Sequence, residues 1–274
     1  MDSLSPESIR EFQNTIYANY RESGRSFPWR ETKDPYRVLV SEIMLQQTQT
    51  DRVVPKYLEW IDRFPTLNAL AEAPFQDVLE RWIGLGYNRR ARYLQEACKK
   101  IAEEYEGEFP REARELEKLP GIGRYTSSAV STFAFGIPNA FIETNIRAVF
   151  LFFFFKDKID VSDSDIMVAV EATMDRDDPR SWYYALMDYG ASLKKRVVNP
   201  NRNSKHYTKQ SRFSGSLRQA RGAIVRYLGK QGNAELSSIA AAEGLPAERI
   251  EEAARSLVAE GMVAEADGIY SISR

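Results

Sequence analysis

The two side chains that most often hold transition metals, cysteine and histidine, are almost missing from this sequence. Its 274 residues include one cysteine, Cys98, and one histidine, His206. A disulfide needs two thiols, and a thiolate metal cluster needs several. We therefore expect neither a disulfide framework nor a cysteine- or histidine-based metal site.

Long hydrophobic runs are missing as well, and we expect no leader segment. The phenylalanine-rich run at 150–155 is far shorter than the ~20 apolar residues that span a bilayer. Residues 1–4 lack the basic-then-apolar pattern of a secretory signal. These absences predict a cytoplasmic protein without a membrane partner. A content of 43% hydrophobic and 28% charged residues predicts an ordinary globular core.

The chain has no large excess of charge, since its formal net charge is −1. Its basic residues are nevertheless concentrated in two clusters. No acid lies between residues 189 and 221, a stretch that holds Lys194, Lys195, Arg196, Arg202, Lys205, Lys209, Arg212, Arg218 and Arg221. The second cluster is Arg81, Arg89, Arg90 and Arg92. Such clusters indicate a surface for a polyanion, and a solvated linker is the alternative for the first.

A proline and two glycines separate two helical patterns in the segment 119–126, which reads LPGIGRYT. A loop of this kind ends one helix and starts the next with its first N–H groups pointing outwards, where they bind an anion. The segment therefore predicts a helix–hairpin–helix that binds a nucleic-acid backbone, with Gly121, Gly123, Arg124 and Thr126 as contact residues. An ordinary helix–helix turn is the alternative.

Glu42 is the unusual residue of the helix predicted over 37–47, because most of its neighbours are apolar. A carboxylate in such surroundings is unfavourable unless it is neutralised or partnered. Glu42 is therefore a candidate catalytic group, and a helix-surface glutamate is the alternative. In the preceding turn, Trp29 and Arg30 are suited to stacking on a base and bonding to its edge. A hydrophobic plug with a surface arginine is the alternative there.

Two further segments carry candidate residues. The turn at 84–90, GLGYNRR, presents Tyr87 beside arginines, an arrangement suited to wedging an aromatic ring into a duplex. A tight turn with solvated arginines is the alternative. In the segment 142–147, IETNIR, Glu143 and Asn145 belong to a helix N-cap signal and place a second carboxylate where it can face a reaction centre.

Helical periodicity covers most of the chain up to about residue 200, and no stretch there has a strand pattern. Its clearest segments are 5–24, 51–62, 67–82 and 90–105. The pattern then changes to three shorter helices at 217–228, 236–243 and 246–260, followed by a hairpin that turns at Asp267-Gly268. This combination predicts a winged helix–turn–helix. Its recognition helix is acidic, which favours a packing or partner-binding module as much as a major-groove reader.

Together these motifs resemble the helix–hairpin–helix family of DNA glycosylases, and within it the MutY-type adenine glycosylases. The resemblance spans roughly residues 8–195, and five segments carry it in the family's order: 27–30, 41–49, 84–87, 119–126 and 143–147. It implies an all-α, two-lobed glycosylase fold over residues 1–212, followed by a small winged-helix-like domain at 213–274. The six-helix lobe is expected at about 36–140 with the hairpin at 119–126, and the second lobe is expected from 1–35 and 141–212.

The resemblance also implies catalytic roles. Glu42 matches the acid that protonates a flipped-out adenine and then orients water. Glu143 takes the place of the aspartate that stabilises positive charge on the sugar, and Asn145 and Tyr125 match its supporting residues. Breaking an N-glycosidic bond needs such a pair, a raised-pKa acid for the base and an ionised carboxylate for the developing oxocarbenium.

Two other sets of residues follow from the same resemblance. The residues expected to contact adenine are Trp29, Arg30 and Leu45. The residues expected to fill the vacated base stack are Gln46, Gln47 and Tyr87.

The sequence departs from the family in three places. A glutamate, Glu143, stands where the family has aspartate, and its extra methylene moves the charge by about a bond length. The family usually binds an iron–sulfur cluster through four cysteines after the region of Asp188, whereas the stretch 194–213 is cysteine-free. The resemblance therefore points to a branch without the cluster, and it leaves a monovalent cation at the hairpin as a cofactor candidate. The winged-helix segment replaces the family's domain that reads 8-oxoguanine.

The resemblance implies a base-excision-repair glycosylase that removes adenine opposite 8-oxoguanine or guanine from double-stranded DNA. We expect a monomer associated with the nucleoid. Endonuclease III-type relatives carry a lysine where Tyr125 stands, so we expect base removal without efficient strand cleavage. The alternatives are a mismatch thymine or uracil glycosylase on the same scaffold and a non-catalytic DNA damage-binding protein.

Overall fold

A computed structural model describes residues 5–208 and 213–273. Helices dominate these residues, as predicted. The α-helices are α1 (Pro6–Ser23), α2 (Pro35–Leu45), α3 (Thr50–Arg63), α4 (Leu67–Ala71), α5 (Phe75–Trp82), α6 (Arg89–Glu104), α7 (Ala113–Leu116), α8 (Arg124–Phe135), α9 (Thr144–Phe154), α10 (Asp163–Thr173), α11 (Pro179–Arg196), α12 (Leu217–Gln231), α13 (Leu236–Glu243) and α14 (Ala247–Ala259). The strands are β1 (Asn233–Ala234), β2 (Val263–Ala266) and β3 (Ile269–Ile272), and 3-10 turns lie at Pro28–Arg30 and Pro200–Asn203.

The described residues form two compact units. The first comprises residues 5–38, 110–118 and 123–208, and the second comprises 39–109, 119–122 and 213–273. The predicted domain boundary after residue 212 stays a prediction, because residues 209–212 lie outside the described ranges.

The first unit is built on the packing of α9 against α11, with α1 covering α11. Its core is aromatic, and the ring of Phe12 meets Phe150 at 5.4 Å and Trp182 at 5.7 Å in edge-to-face geometry. Gly190 in α11 permits the close approach, because a Cβ there would lie 2.7 Å from the carbonyl carbon of Asn145 in α9. This contact holds the start of α9 against α11.

The second unit packs α4 and α5 on α6. The side chains of Trp60 and Trp82 are fully buried in edge-to-face contact at 5.4 Å. Gln95 of α6 donates its side-chain amide to the carbonyl oxygens of Leu70 and Ala73, at 3.1 and 2.7 Å, and so satisfies the end of α4.

The C-terminal segment has the predicted winged-helix elements, three helices and a hairpin. Strand β3 lies between β1 and β2, antiparallel to both. The hairpin turns at Asp267 and Gly268, whose positive φ angles of 52° and 79° suit a primed turn. Leu79 of α5 is buried in the same apolar cluster as α12, α13 and α14. The winged-helix segment therefore shares its core with α5.

Two predicted helices differ from the observed ones for local reasons. The helix predicted over 67–82 is divided into α4 and α5, because Pro74 caps α5 and disfavours a helical residue before it. Helix α2 ends at Leu45, two residues early, and Gln47 has a positive φ of 55° that a right-handed helix cannot contain.

None of the helices among the described residues is long and apolar enough to cross a membrane.

The α9–α11 contact gives a stability prediction. The substitution Gly190→Ala would force a methyl group into the backbone of Asn145, and we expect the free energy of unfolding to fall by about 1–3 kcal/mol. Urea unfolding followed by circular dichroism measures the change. Gly222→Ala in α12 is the control, since a Cβ there meets nothing within 4 Å, and it should be neutral or stabilising by up to ~1 kcal/mol. Equal midpoints for both variants would contradict the close contact.

Candidate functional site

In the second unit, one buried guanidinium joins the end of α2 to the turn that precedes α6. Arg90 donates Nη1 to the carbonyl oxygens of Ile43 and Gln46, both at 2.7 Å, and Nη2 to those of Leu85 at 3.2 Å and Gly86 at 3.0 Å. Burial lowers the pKa of Arg90 to about 10, so the group stays charged at neutral pH. It is therefore a structural brace rather than the solvated or DNA-facing cation that the sequence suggested.

Tyr87 lies on this braced turn. Its backbone has a positive φ of 48°, which is uncommon for a residue with a large side chain. The guanidinium carbon of Arg90 lies 5.5 Å from the centre of its ring, and that of Arg218 in α12 lies 5.6 Å away. Arg218 Nη1 also donates a hydrogen bond of 2.7 Å to the Tyr87 hydroxyl. The ring is half-buried. It is held by Arg90 at the start of α6 and by Arg218 of α12.

The candidate site residues at the end of α2 become more exposed along the chain. The side chain of Glu42 is 6% exposed, between Ser41 and Ile43, which are also buried. Leu45 and Gln46 are half-buried, and Gln47 is exposed. Glu42 is therefore buried, and it is not the helix-surface glutamate that was the alternative.

A cavity of about 520 Å³ brings several predicted DNA-contact residues together within the second unit. Its lining includes Gln46, Gln47, Tyr87 and Gly121, which are far apart in sequence. Gly121 has a positive φ of 70° and lies against the ring of Tyr93, whose Cγ would be 2.8 Å from an added Cβ. Arg218 completes the lining from α12.

The hairpin continues into α8, whose N-cap is Gly123. A Cβ added at Gly123 would meet nothing within 4 Å, so the space beside the helix start is open. Arg124 is exposed at the first position of α8, and Thr126 is buried. An open helix start with an exposed arginine fits the predicted binding of a phosphate.

In the first unit, Glu143 caps α9 as the sequence predicted. Its carboxylate accepts hydrogen bonds from the backbone N–H groups of Asn145 at 2.7 Å and Ile146 at 2.8 Å, and from the Asn145 side-chain amide at 3.2 Å. Burial raises the pKa of this carboxyl group, while the two backbone donors and the charges of Lys194 and Arg147 act in the opposite direction. The side chain is thus fixed in one orientation by the start of α9.

Arg30 occupies a different environment from the one that its predicted role suggests. It forms two parallel hydrogen bonds of 2.8 Å to Asp188, and its side chain is 8% exposed. Its guanidinium carbon lies 4.4 Å from the ring centre of Tyr184. An adenine contact through Arg30 stays a prediction, and it would require the base to bind beside this ion pair.

Asp188 is the important residue that sequence reasoning did not single out. It also accepts a hydrogen bond from the backbone N–H of Arg25 at 2.8 Å. Burial raises the pKa of Asp188, but the hydrogen bonds and charges of Arg30 and Arg25 outweigh it and hold that pKa below its usual value. The sequence signal was an acid within the apolar and aromatic stretch 182–191 of α11, which is the kind of signal that identified Glu42.

The remaining predicted residues of the first unit lie near aromatic groups. Trp29 is buried and stacks on Phe27 at 5.0 Å with an interplanar angle of 9°. Tyr125 is half-buried and meets Phe141 edge-to-face at 5.7 Å. The roles that the resemblance assigned to Trp29, Tyr125 and the other site residues stay predictions.

Two residues of the basic clusters are bound by groups of the second unit. Arg92 donates Nη1 to the carbonyl oxygen of Glu260 at 2.8 Å, and Arg221 forms a two-pronged ion pair with the Glu260 carboxylate at 2.7 and 2.8 Å. Arg92 therefore ties the winged-helix segment to α6, and Arg221 joins α12 to the end of α14 within that segment. They are not the open polyanion surface that clustering alone predicted.

Residues 40–186 match the model of a protein family described as the HhH-GPD superfamily of base excision DNA repair proteins. The match covers more than half of the chain and includes both Glu42 and Glu143.

Curated relatives carry the name adenine DNA glycosylase. The protein from Buchnera aphidicola subsp. Baizongia pistaciae is 35% identical over 187 residues, which are 66% of this chain and 52% of the relative. The protein from Mycolicibacterium smegmatis is 44% identical over 131 residues, 47% of this chain and 45% of the relative. The chain therefore spans about half the length of these curated relatives.

Among solved structures, a thermostable thymine-DNA glycosylase has a similar fold. The TM-score is 0.62 at 27% sequence identity, and the match covers 68% of this chain and 87% of that protein. The helix–hairpin–helix glycosylase fold that the sequence predicted is thereby confirmed.

The brace formed by Arg90 leads to a second stability prediction. Arg90→Leu would remove every guanidinium hydrogen bond to the end of α2 and to the turn before α6, and we expect the free energy of unfolding to fall by about 3 kcal/mol or more. The neighbouring Arg89→Ala is the control. Arg89 is exposed and lies 3.7 Å from Glu260, so its loss should change stability by less than ~1 kcal/mol. Chemical unfolding of both variants measures these changes. Similar losses of unfolding free energy would mean that Arg90 does not hold the end of α2 and the turn before α6 together.

Proposed function

Since the chain belongs to the HhH-GPD superfamily of base excision DNA repair proteins, we propose that it is a monofunctional DNA glycosylase. Its substrate is double-stranded DNA, and it hydrolyses the N-glycosidic bond of adenine mispaired with 8-oxoguanine or guanine. The observation that carries this proposal is a buried Glu42 within a matched domain whose curated relatives are named adenine DNA glycosylases.

The proposed chemistry uses two carboxyl groups. As the bond between the sugar and the base breaks, its electron pair leaves with adenine, and Glu42 delivers a proton to the base. The sugar develops oxocarbenium character, which the ionised Glu143 stabilises. Water then adds to the sugar carbon, and Glu42 takes up its proton. Asn145 orients Glu143 through the hydrogen bond of its side-chain amide, and Tyr125 is the proposed second supporting residue.

The adenine must leave the duplex before these groups can reach it. Tyr87, Gln46 and Gln47 are proposed to occupy the gap, and their position at one cavity supports this. The open start of α8, with Gly123 and Arg124, is proposed to bind a backbone phosphate, together with Gly121 and Thr126. Trp29, Arg30 and Leu45 are the proposed adenine contacts, and the working unit is proposed to be a monomer.

A four-cysteine iron–sulfur cluster does not fit this chain. Its one thiol, Cys98, is fully buried in α6, and burial raises the pKa of that thiol. The proposed hydrolysis therefore relies on the two carboxyl groups and takes no step through a cluster. A monovalent cation at the hairpin stays a proposal.

A mismatch thymine glycosylase is the second candidate. The similar fold of a solved thymine-DNA glycosylase favours it, and so does the engagement of Arg30 by Asp188, since that guanidinium is the proposed reader of the adenine edge.

A base-release assay tests the function. Single-turnover reactions use duplexes that contain A:8-oxoG, A:G, T:G or U:G, with Glu42→Gln as the inactive control. We expect adenine release alone, reduced by at least ~10²-fold in Glu42→Gln because the proton donor is lost. Release of thymine or uracil would replace the first candidate with the second, and binding without release would reject both enzymes.

The environment of Glu143 predicts a pH dependence. Glu143 acts in its ionised form, and burial raises its pKa, so base release should decline on acidification at a pH above the usual range for glutamate. Glu143→Gln should lower the rate by ~10²- to 10³-fold. In this variant the acidic decline that belongs to Glu143 should also disappear. A wild-type decline that begins only in the ordinary glutamate range, or one that survives in Glu143→Gln, would contradict this assignment.

A further inference from the structure

We propose that Arg218, in the winged-helix segment, is a positioning residue for Tyr87 when that ring enters the DNA duplex. The winged-helix segment would then support base excision by holding the Tyr87 ring in position rather than by reading a groove of the DNA. This inference rests on the proposed function, because it assigns Tyr87 to the duplex.

The contact between the two side chains is specific. Arg218 donates a 2.7 Å hydrogen bond to the Tyr87 hydroxyl, and its guanidinium carbon lies 5.6 Å from the ring centre. A guanidinium that binds both the hydroxyl and the ring limits rotation of the side chain about its Cα–Cβ and Cβ–Cγ bonds. The positive φ of Tyr87 fixes the direction in which the side chain leaves the turn.

Arg218 can hold Tyr87 because α12 is itself anchored in the same compact unit. The apolar cluster of the winged-helix segment includes Leu79, and Phe75 and Ile83 pack against it. Polar contacts add to this, since Arg92 of α6 donates to the carbonyl oxygen of Glu260 at 2.8 Å. The turn of Tyr87 and the helix of Arg218 are thus parts of one packed body.

The other arginines of α12 have different partners. Arg221 is paired with Glu260, and Arg226 is paired with Glu243 at 2.5 Å. The predicted recognition helix α14 also presents three exposed acids, Glu248, Glu251 and Glu252, against two arginines that pair with the last two, so it offers no excess of positive charge to a DNA backbone. A direct groove-reading role is therefore disfavoured, whereas the contact between Arg218 and Tyr87 gives the segment a defined effect on DNA.

A double-mutant cycle tests the proposal. The variants are Arg218→Ala, Tyr87→Ala and the double mutant, all in the full chain carrying Glu42→Gln so that the duplex stays intact. The readouts are the dissociation constant for an A:8-oxoG duplex and the fluorescence of a 2-aminopurine placed beside the mispair, which reports unstacking. We expect Arg218→Ala to weaken binding ~5- to 20-fold and to reduce the fluorescence increase.

The energetic coupling between the two substitutions decides whether Arg218 acts through Tyr87. If Arg218 acts through Tyr87, Arg218→Ala should have less than a ~2-fold effect once Tyr87→Ala is present. Effects that multiply instead would mean that Arg218 contacts DNA independently, and the proposal would be wrong. Arg218→Lys, which keeps a cation and a donor, should restore part of the loss and covers the case in which Arg218→Ala folds poorly.

The matched control is Arg226→Ala, which removes the same charge from the same helix without touching Tyr87. It should leave both readouts within ~2-fold of the reference chain. An equal loss of binding and of fluorescence change in this control would mean that the effect comes from the positive charge alone. The proposal would then be wrong. Base release by the chain with Glu42 intact is measured separately, so a failure of the glycosylase proposal is distinguishable from a failure of the coupling.

Discussion

The second unit depends on the buried charge of Arg90. Carbonyl oxygens at the end of a helix have no partner within it, and α2 ends among the residues that carry the proposed chemistry. Arg90 satisfies these oxygens and, with the same guanidinium, the oxygens of the turn that presents Tyr87. One side chain therefore joins the helix that carries the proposed acid, Glu42, to the turn that carries Tyr87.

In the first unit, hydrogen bonds and close packing likewise hold proposed site residues in position. There the start of α9 orients Glu143 through backbone donors, and Gly190 allows α11 to pack against that start. Asp188, two residues earlier on α11, holds Arg30. Two positions on different sides of α11 thus help to hold a carboxylate and a guanidinium of the proposed site.

Sequence patterns predicted the local features well and the long-range ones poorly. The N-cap at Glu143 and the turn at Asp267-Gly268 depend on residues that are adjacent in sequence, and both were found where the pattern placed them. The roles of Arg90, Arg92 and Arg221 each depend on a partner between 39 and 168 residues away, which no local pattern contains. A cluster of arginines has the same composition whether it faces DNA or internal carbonyl oxygens.

The burial of Cys98 has a consequence for the conditions under which the protein works. 8-Oxoguanine, the proposed partner of the excised adenine, arises when guanine is oxidised, and oxidants of that kind also attack accessible thiolates. The chain's one thiol is shielded by α6 and its neighbours and is held in its protonated form. Oxidants that would create the proposed substrate therefore have no reactive thiol in this chain through which to inactivate it.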